Sequence, residues 1–470
     1  MKHDLEALDA SLQRYIREND IPGLTVAIRG PEGVIFEKGY GYGDENQGCP
    51  LNAHTIMGIA SMSKSTVTLA LCILAVEGKF DWNDPVTKYF PDFQLKGSPQ
   101  DAITCHHLAC HTAGLPPINP MNWSIVQNTP GRSGPWAEAM RASAPNNMET
   151  IEQVIAYIAS NNCKALGGPG EYMSYSNEGY AILCSIFDKA AGKSLEQFLI
   201  QRVFHPMGMF RTVLDADCGE AKKLAADGNI TRLWDRDGQG SLKADDLWGI
   251  MPPFRSCACV KSTAHDFARY YQCLSNHGVI DGVQAIPAAA ADRMCGPQFP
   301  LREKPHYCYG LRKRLWKGHV ICEHSGKLHG VSSQGGFLLG ENRSFVAFCN
   351  EAGKDTEPLG WMTSNLLMGR PLEEEQLWLR PTGRQFSQPE MLEGVYACEE
   401  GNPANFEVFT EDGMLKVRQG TAIRDLIHCG ETWFLLYDEQ GRRTGRCHFW
   451  VRAGTAWGVQ VISRIYQRIE

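Results

Sequence analysis

Apolar positions along the chain follow three rhythms in succession. The opening MKHDLEALDASLQRYIREND spaces its apolar residues at helical intervals on a charged surface, which predicts an amphipathic helix. Between Ile21 and Tyr42, GLTVAIRG and GVIFEKGYG place Val, Ile and Phe between Gly and Pro, predicting two antiparallel strands that turn at Pro31–Gly33. From Ser61 to Glu77 there is no Gly or Pro, and the segment is apolar almost all round after its first turn. A buried central helix ending at Gly78 follows. Helical spacing returns at 151–160, 178–191, 194–204 and 263–275, and strand patterns at 319–323, 333–339 and 343–349. Strands first, helices in the middle and strands last predict an α/β (α+β) fold: an antiparallel sheet shared by both terminal segments and flanked by helices.

Residues 370–390 break the rhythm with Pro, Glu and Gln, as a linker does. Beyond them NFEVFT, MLKVRQ, TWFLLYD, CHFWVRA and VQVISRIYQ alternate between turns, predicting a small antiparallel β-barrel or sandwich. The expected organisation is a main domain over 1–370, a linker over 371–384 and an all-β domain over 385–470.

Composition narrows the function. The 470 residues are 43% hydrophobic and 21% charged, enough apolar surface for a core throughout. With 46 basic against 53 acidic residues and no long Lys/Arg run, a nucleic-acid partner is excluded in favour of a small molecule or short peptide. The start lacks the apolar run of a signal peptide and no stretch is long enough to span a membrane, so no membrane partner is expected. Seventeen cysteines, an odd number, then read as reduced thiols in the cytoplasm without a disulfide framework. Glycines 39, 41 and 43 lack the spacing and the βαβ context of a dinucleotide fingerprint. No cofactor is expected, and the sequence leaves the oligomeric state open.

Candidate chemistry lies at three places. Ser61-Met62-Ser63-Lys64 opens the buried helix, and spacing of i to i+3 puts Ser61 and Lys64 on one face a turn apart. A lysine beside a core helix is desolvated, which favours a neutral amine able to take the serine proton. Tyr175-Ser176-Asn177 precedes a helix and can project a proton-shuttling phenol and a carbonyl-holding amide into a cleft. His324-Ser325-Gly326 opens a strand where glycine lets substrate backbone approach, and the next amide, Lys327, can point at an oxyanion.

These elements, in this order, resemble the serine β-lactamase and penicillin-binding protein superfamily, in its branch of class C β-lactamase relatives, D-aminopeptidases and carboxylesterases. The strings Ile59-Ala60-Ser61-Met62-Ser63-Lys64, His111-Thr112-Ala113-Gly114-Leu115-Pro116, Tyr175 to Tyr180, Pro206-Met207-Gly208-Met209 and Ser262-Thr263-Ala264 carry the resemblance across residues 8–365. It implies Ser61 as acylated nucleophile, Lys64 as its proton acceptor and Tyr175 as proton shuttle. Asn177 would bind the acyl amide, the amides of Ser61 and Lys327 would form the oxyanion hole, and His324, Ser325 and Gly326 would line the substrate site. It also implies a helical subdomain beside the sheet.

The chain departs from that pattern. His324-Ser325-Gly326 stands where β-lactamases usually have Lys-Thr-Gly, so the cation that holds a substrate carboxylate is replaced by an imidazole and efficient β-lactam hydrolysis is not expected. Cys257-Ala258-Cys259 reads as buried packing. Cys105-His106-His107 with Cys110-His111 has the look of metal ligands, but the resemblance assigns that stretch to a structural helix and turn, and no metal is expected. Substrate choice is expected in Pro117–Met148, a loop or lid carrying Trp123 and Trp136, and in 228–256 with Trp234 and Trp248. The first functional reading is a serine peptidase or amidase on short peptides, including those with D-residues. The alternatives are a carboxylesterase and a slowly acylating or non-catalytic binding protein.

Overall fold

A computed structural model describes residues 2–44, 48–160, 163–237, 239–296, 298–400 and 405–469. Its frame is a seven-stranded antiparallel sheet. The strands are β1 (Gly23–Gly30), β2 (Gly33–Gly41), β3 (His306–Tyr307), β4 (Arg312–Trp316), β5 (His319–Leu328), β6 (Val331–Leu338) and β7 (Arg343–Cys349), ordered β3-β4-β5-β6-β7-β1-β2. Both ends of the region thus meet at the β1–β7 pairing, where Val26 faces Ala347 in register.

Alternation along β1 sends Val26 and Ile28 to one face and Ala27 to the other. On the first face they join Leu8 and Leu12 of α1 (Lys2–Glu18) and Leu359 and Met362 of the helix Glu357–Leu367. On the second face Ala27, Phe337 and Val346 join Phe267, Tyr270 and Tyr271 of the helix Ala264–Ser275 and the apolar residues of α2 (Lys64–Val76). Helix α2 is buried almost throughout, and Gly78 beyond its end takes the left-handed φ of +71° that a helix C′ position favours. The helices around α3 (Asn177–Ala191) form a second body of the same core. The expected lid holds two short helices, Pro120–Asn128 and Pro135–Ser143, with Trp123 buried.

Strands β8 (Gly394–Ala397), β9 (Phe406–Glu411), β10 (Met414–Gln419), β11 (Ala422–His428), β12 (Trp433–Tyr437), β13 (Arg443–Arg452), β14 (Thr455–Val461) and β15 (Arg464–Arg468) close into a barrel through β8–β15 pairing. Its interior is filled by Tyr396, Phe406, Val417, Phe434 and Phe449. The segment before it is packed: Gln376 is buried, accepts from Arg314 and donates to Asn365, while Trp378 stands edge-on to Trp433. All seventeen cysteines are free thiols, most of them buried. Among the described residues no helix is long and apolar enough to cross a membrane.

Candidate active site

Ser61 lies in a 3-10 turn, Ala60–Ser63, that leads into α2, so the tetrad opens the helix with a tighter turn than the expected α-helical start. The preceding Ala60 holds a left-handed φ of +46° while fully buried, a backbone state that surrounding contacts must enforce. Those contacts are specific. Ser63 Oγ donates to Ala60 O at 2.6 Å and accepts from Val260 N at 3.1 Å, and Ser333 Oγ donates to Ile59 O at 2.9 Å. Gly326 completes the fit, because a Cβ there would lie 2.4 Å from Ile59 O and 2.4 Å from Ser333 Oγ. A side chain at this position would collide with the turn that carries the nucleophile.

Lys64 is completely buried, and its Nζ meets three acceptors: Ser61 Oγ at 3.1 Å, Asn177 Oδ1 at 2.9 Å and Cys257 O at 3.1 Å. Two of these can only accept. Lys64 Nζ therefore donates to the Asn177 and Cys257 oxygens, and its third contact is the Ser61 hydroxyl. The Cys257 carbonyl is a site contact that reading the side chains missed. Its thiol donates to Asn177 O at 3.2 Å, and Cys257, Ala258 and Cys259 are otherwise buried packing.

Asn177 is placed by its neighbour. Ser176 caps α3, accepting from Gly179 N at 3.1 Å, so Asn177 becomes the first helical residue and faces Lys64. Tyr175, just outside the helix, is 7% exposed, and its ring centre lies 4.9 Å from Lys64 Nζ. Its hydroxyl is buried without a hydrogen-bond partner among the described residues. His111 lies against the Tyr175 ring at 4.1 Å and accepts from Ser176 N, and burial drives it far toward the neutral form. Of the other residues in that stretch, His106 Nδ1 meets Tyr309 OH at 2.9 Å and Cys110 Sγ at 3.9 Å, and His107 Nδ1 meets Thr104 Oγ1 at 3.0 Å.

His324 is buried and hydrogen-bonds Tyr307 OH through Nε2 at 2.8 Å, with its ring 6.2 Å from that of Tyr175. Burial first, then the charges of Arg312 and Lys64, hold it well below the ordinary imidazole range, so it is neutral and does not replace a fixed cation. Ser325 Oγ accepts from Arg312 Nη2 at 2.7 Å, and Lys327 follows on the same strand with an exposed side chain. Glu178 is buried with its Oε1 unpartnered among the described residues, and burial together with the nearby Glu400 pushes it up to about 7.

The barrel reaches this site. Ser463 O, in the β14–β15 turn, accepts from Tyr175 N at 2.8 Å, and the Arg464 guanidinium lies 4.6 Å from the Tyr175 ring centre. Arg464 grips both Glu400 oxygens at 2.5 and 2.6 Å, and Glu400 Oε1 lies 3.5 Å from Asn177 Nδ2. Residues far apart in the chain therefore enclose one serine.

The model of the beta-lactamase family matches residues 8–364, three quarters of the chain, with Ser61, Lys64, Tyr175, Asn177 and His324 inside the match and the barrel outside it. The chain belongs to the beta-lactamase family. Among relatives, penicillin-binding protein 4* of Bacillus subtilis is 26% identical over 190 residues, 40% of this chain and 37% of that protein. Protein flp of Staphylococcus aureus is 26% identical over 208 residues, 44% of this chain and 38% of that protein. The match thus spans about two fifths of the length of these relatives. Among solved structures, the octameric penicillin-binding protein homologue from Pyrococcus abyssi superposes with a TM-score of 0.68 over 99% of both chains at 22% identity. The D-amino acid amidase from Ochrobactrum anthropi SV3 covers 76% of this chain and 93% of its own with a TM-score of 0.58 at 20% identity. These likenesses establish a beta-lactamase-like fold carrying a C-terminal barrel.

Proposed function

We propose that this beta-lactamase family member is a serine hydrolase that works through an acyl-enzyme on Ser61, acting on amides or short peptides, including those with D-residues. The observation that carries this reading is the Lys64 amine, buried and held 3.1 Å from Ser61 Oγ by two carbonyls. In the reaction Lys64 takes the Ser61 proton as Oγ bonds to the substrate carbonyl carbon. The amides of Ser61 and Lys327 receive the developing oxyanion, and the Asn177 side chain orients the acyl amide. Tyr175 delivers a proton to the leaving nitrogen as the carbon–nitrogen bond breaks. It then accepts one from the water that frees the acid and restores Ser61. His324, Ser325 and Gly326 shape the wall opposite. Seventeen free thiols fit work in a reducing cytoplasm.

The likeness to a D-amino acid amidase supports amides over esters as the substrate class. Initial rates on an aryl acetate and on matched D- and L-aminoacyl anilides, in wild type and Ser61→Ala, test the reading. Anilide hydrolysis that vanishes in the variant is expected and reveals the preferred hand. Ester turnover alone makes the chain a carboxylesterase, and no Ser61-dependent turnover on either makes it a binding protein.

A further inference from the structure

A second convergence of side chains lies at the β2 edge of the sheet, among residues the hydrolase chemistry does not use. Alternation along β2 puts Glu37 opposite Ala27, on the face covered by the helix Ala264–Ser275. Two residues on, Gly39 shares that face and lets the next loop pass against the strand, since a Cβ there would lie 2.0 Å from Leu51 O. The loop is then tied down. His54 N donates to Asn52 Oδ1 at 2.9 Å, Arg211 Nε donates to His54 O at 3.1 Å, and Ala53 O accepts at 3.0 Å from the amide of His265 in the first turn of the helix. Glu37, His54 and His265 thereby bring one donor atom each within 4.8 Å of the others. His265 Nδ1 lies 2.7 Å from Glu37 Oε1, and the two imidazole centres are 4.7 Å apart. Glu37 and His265 are largely covered, whereas His54 is open to solvent. Among the described residues the His54 ring has no hydrogen-bond partner, and no other three His, Cys, Asp or Glu donors converge this closely.

Two imidazoles and a carboxylate are the donors that zinc and its neighbours take in three-ligand sites, with one position left for water. Bonds of about 2.1 Å put tetrahedral ligand atoms about 3.4 Å apart, between the 2.7 Å of the closest pair and the 4.8 Å limit, so small side-chain rotations seat an ion. A Glu–His hydrogen bond alone accounts for two of the three residues and leaves the His54 imidazole idle. We propose that Glu37, His54 and His265 bind a divalent transition-metal ion of the zinc class, with water completing its shell. The ion clips the short ladder under the nucleophile. Met57 pairs with Ser262, His54 stands three residues before the one and His265 three after the other, and Ile59 N donates to Val260 O at 3.2 Å on the way to Ser61. The site lies outside the hydrolase reading, and no step of the hydrolysis uses it. Its ligands come from three segments, with 228 positions between Glu37 and His265, so no ligand spacing shows in the chain.

Calorimetric titration of the full-length, chelator-treated protein with zinc chloride, under a phosphine reductant, tests the site, together with absorption spectra of the cobalt-loaded protein. Uptake of one ion per chain is expected. Seventeen cysteines are the competing ligands, so the cobalt spectrum should lack thiolate-to-metal charge transfer. His54→Ala removes a ligand from an exposed position and leaves the Glu37–His265 bond in place. Its zinc affinity should fall at least about a hundredfold, the upper end of what losing an outer-shell partner costs. Should that variant fail to fold, Glu37→Gln is the second test: it keeps an acceptor for His265 and should weaken binding at least about tenfold. No saturable uptake, a thiolate-type cobalt spectrum, or an affinity unchanged in both variants overturns the site. Zinc uptake is measured without substrate, so Ser61-dependent hydrolysis reports on the catalytic reading alone and the two claims fail separately.

Discussion

The Arg464 guanidinium lies 4.6 Å from the centre of the Tyr175 ring, so a barrel residue forms one wall of the hydrolase site. Its charge is balanced by Glu400, which is only 17% exposed. Arg464→Met leaves that carboxylate uncompensated and should destabilise the protein by on the order of 2 kcal/mol, discounted from a fully buried pair because Arg464 is partly solvated. Adding Glu400→Gln should recover at least about half of that loss. Chemical denaturation of both variants checks it, and equal instability of single and double variants counts against the pairing.

The hydroxyl of Tyr175 has no partner among the described residues. Tyr175→Phe therefore removes a proton carrier without breaking a recorded bond. The expected result is a drop in kcat of about a hundredfold or more with KM little changed and stability within about 1 kcal/mol of wild type. A raised KM with kcat intact would make Tyr175 a binding wall only.

Glu178 is pushed up to about 7, above an ordinary carboxyl near 4.5. The folded chain then holds a proton that the unfolded chain releases, so its contribution is full below about pH 4.5 and is lost as pH rises through about 7. Wild type should lose on the order of 3 kcal/mol of stability from this group between pH 4.5 and 8, whereas Glu178→Gln should not. Denaturation midpoints at the two pH values decide it, and parallel losses in both proteins would place the titration elsewhere.

Much of this architecture was legible in the chain because it is written locally. The Ser61/Lys64 spacing, the Tyr175-Ser176-Asn177 cap and the alternation of β1 and β2 each depend on neighbours a few residues away. What escaped depends on distance or on backbone: the Cys257 carbonyl on Lys64, Arg312 on Ser325, and the barrel turn on Tyr175. VQVISRIYQ read as one run, yet the structure turns at Ile462–Ser463 between β14 and β15. The turn went unseen because it has no Gly, Asn or Pro; Ile462 itself takes a φ of +56° while 60% exposed. Likewise AIRDLIH, broken by charges, gave no strand signal before β11 was seen in the barrel.

That turn carries its own prediction. A β-branched residue in the left-handed region is strained, and little apolar burial is lost by replacing an exposed one. Ile462→Asn should stabilise the protein by about 1 kcal/mol in denaturant titration. A destabilisation would mean that the isoleucine side chain matters more than its backbone.

The central claim is that Ser61 becomes acylated with Lys64 as its base. Intact-mass and peptide mass spectrometry of protein quenched during hydrolysis of an aryl acetate reads this directly. The expected result is a single added acetyl group on the peptide containing Ser61, absent in Ser61→Ala and strongly reduced in Lys64→Met. Turnover without any adduct on Ser61, or undiminished in Ser61→Ala, would contradict it.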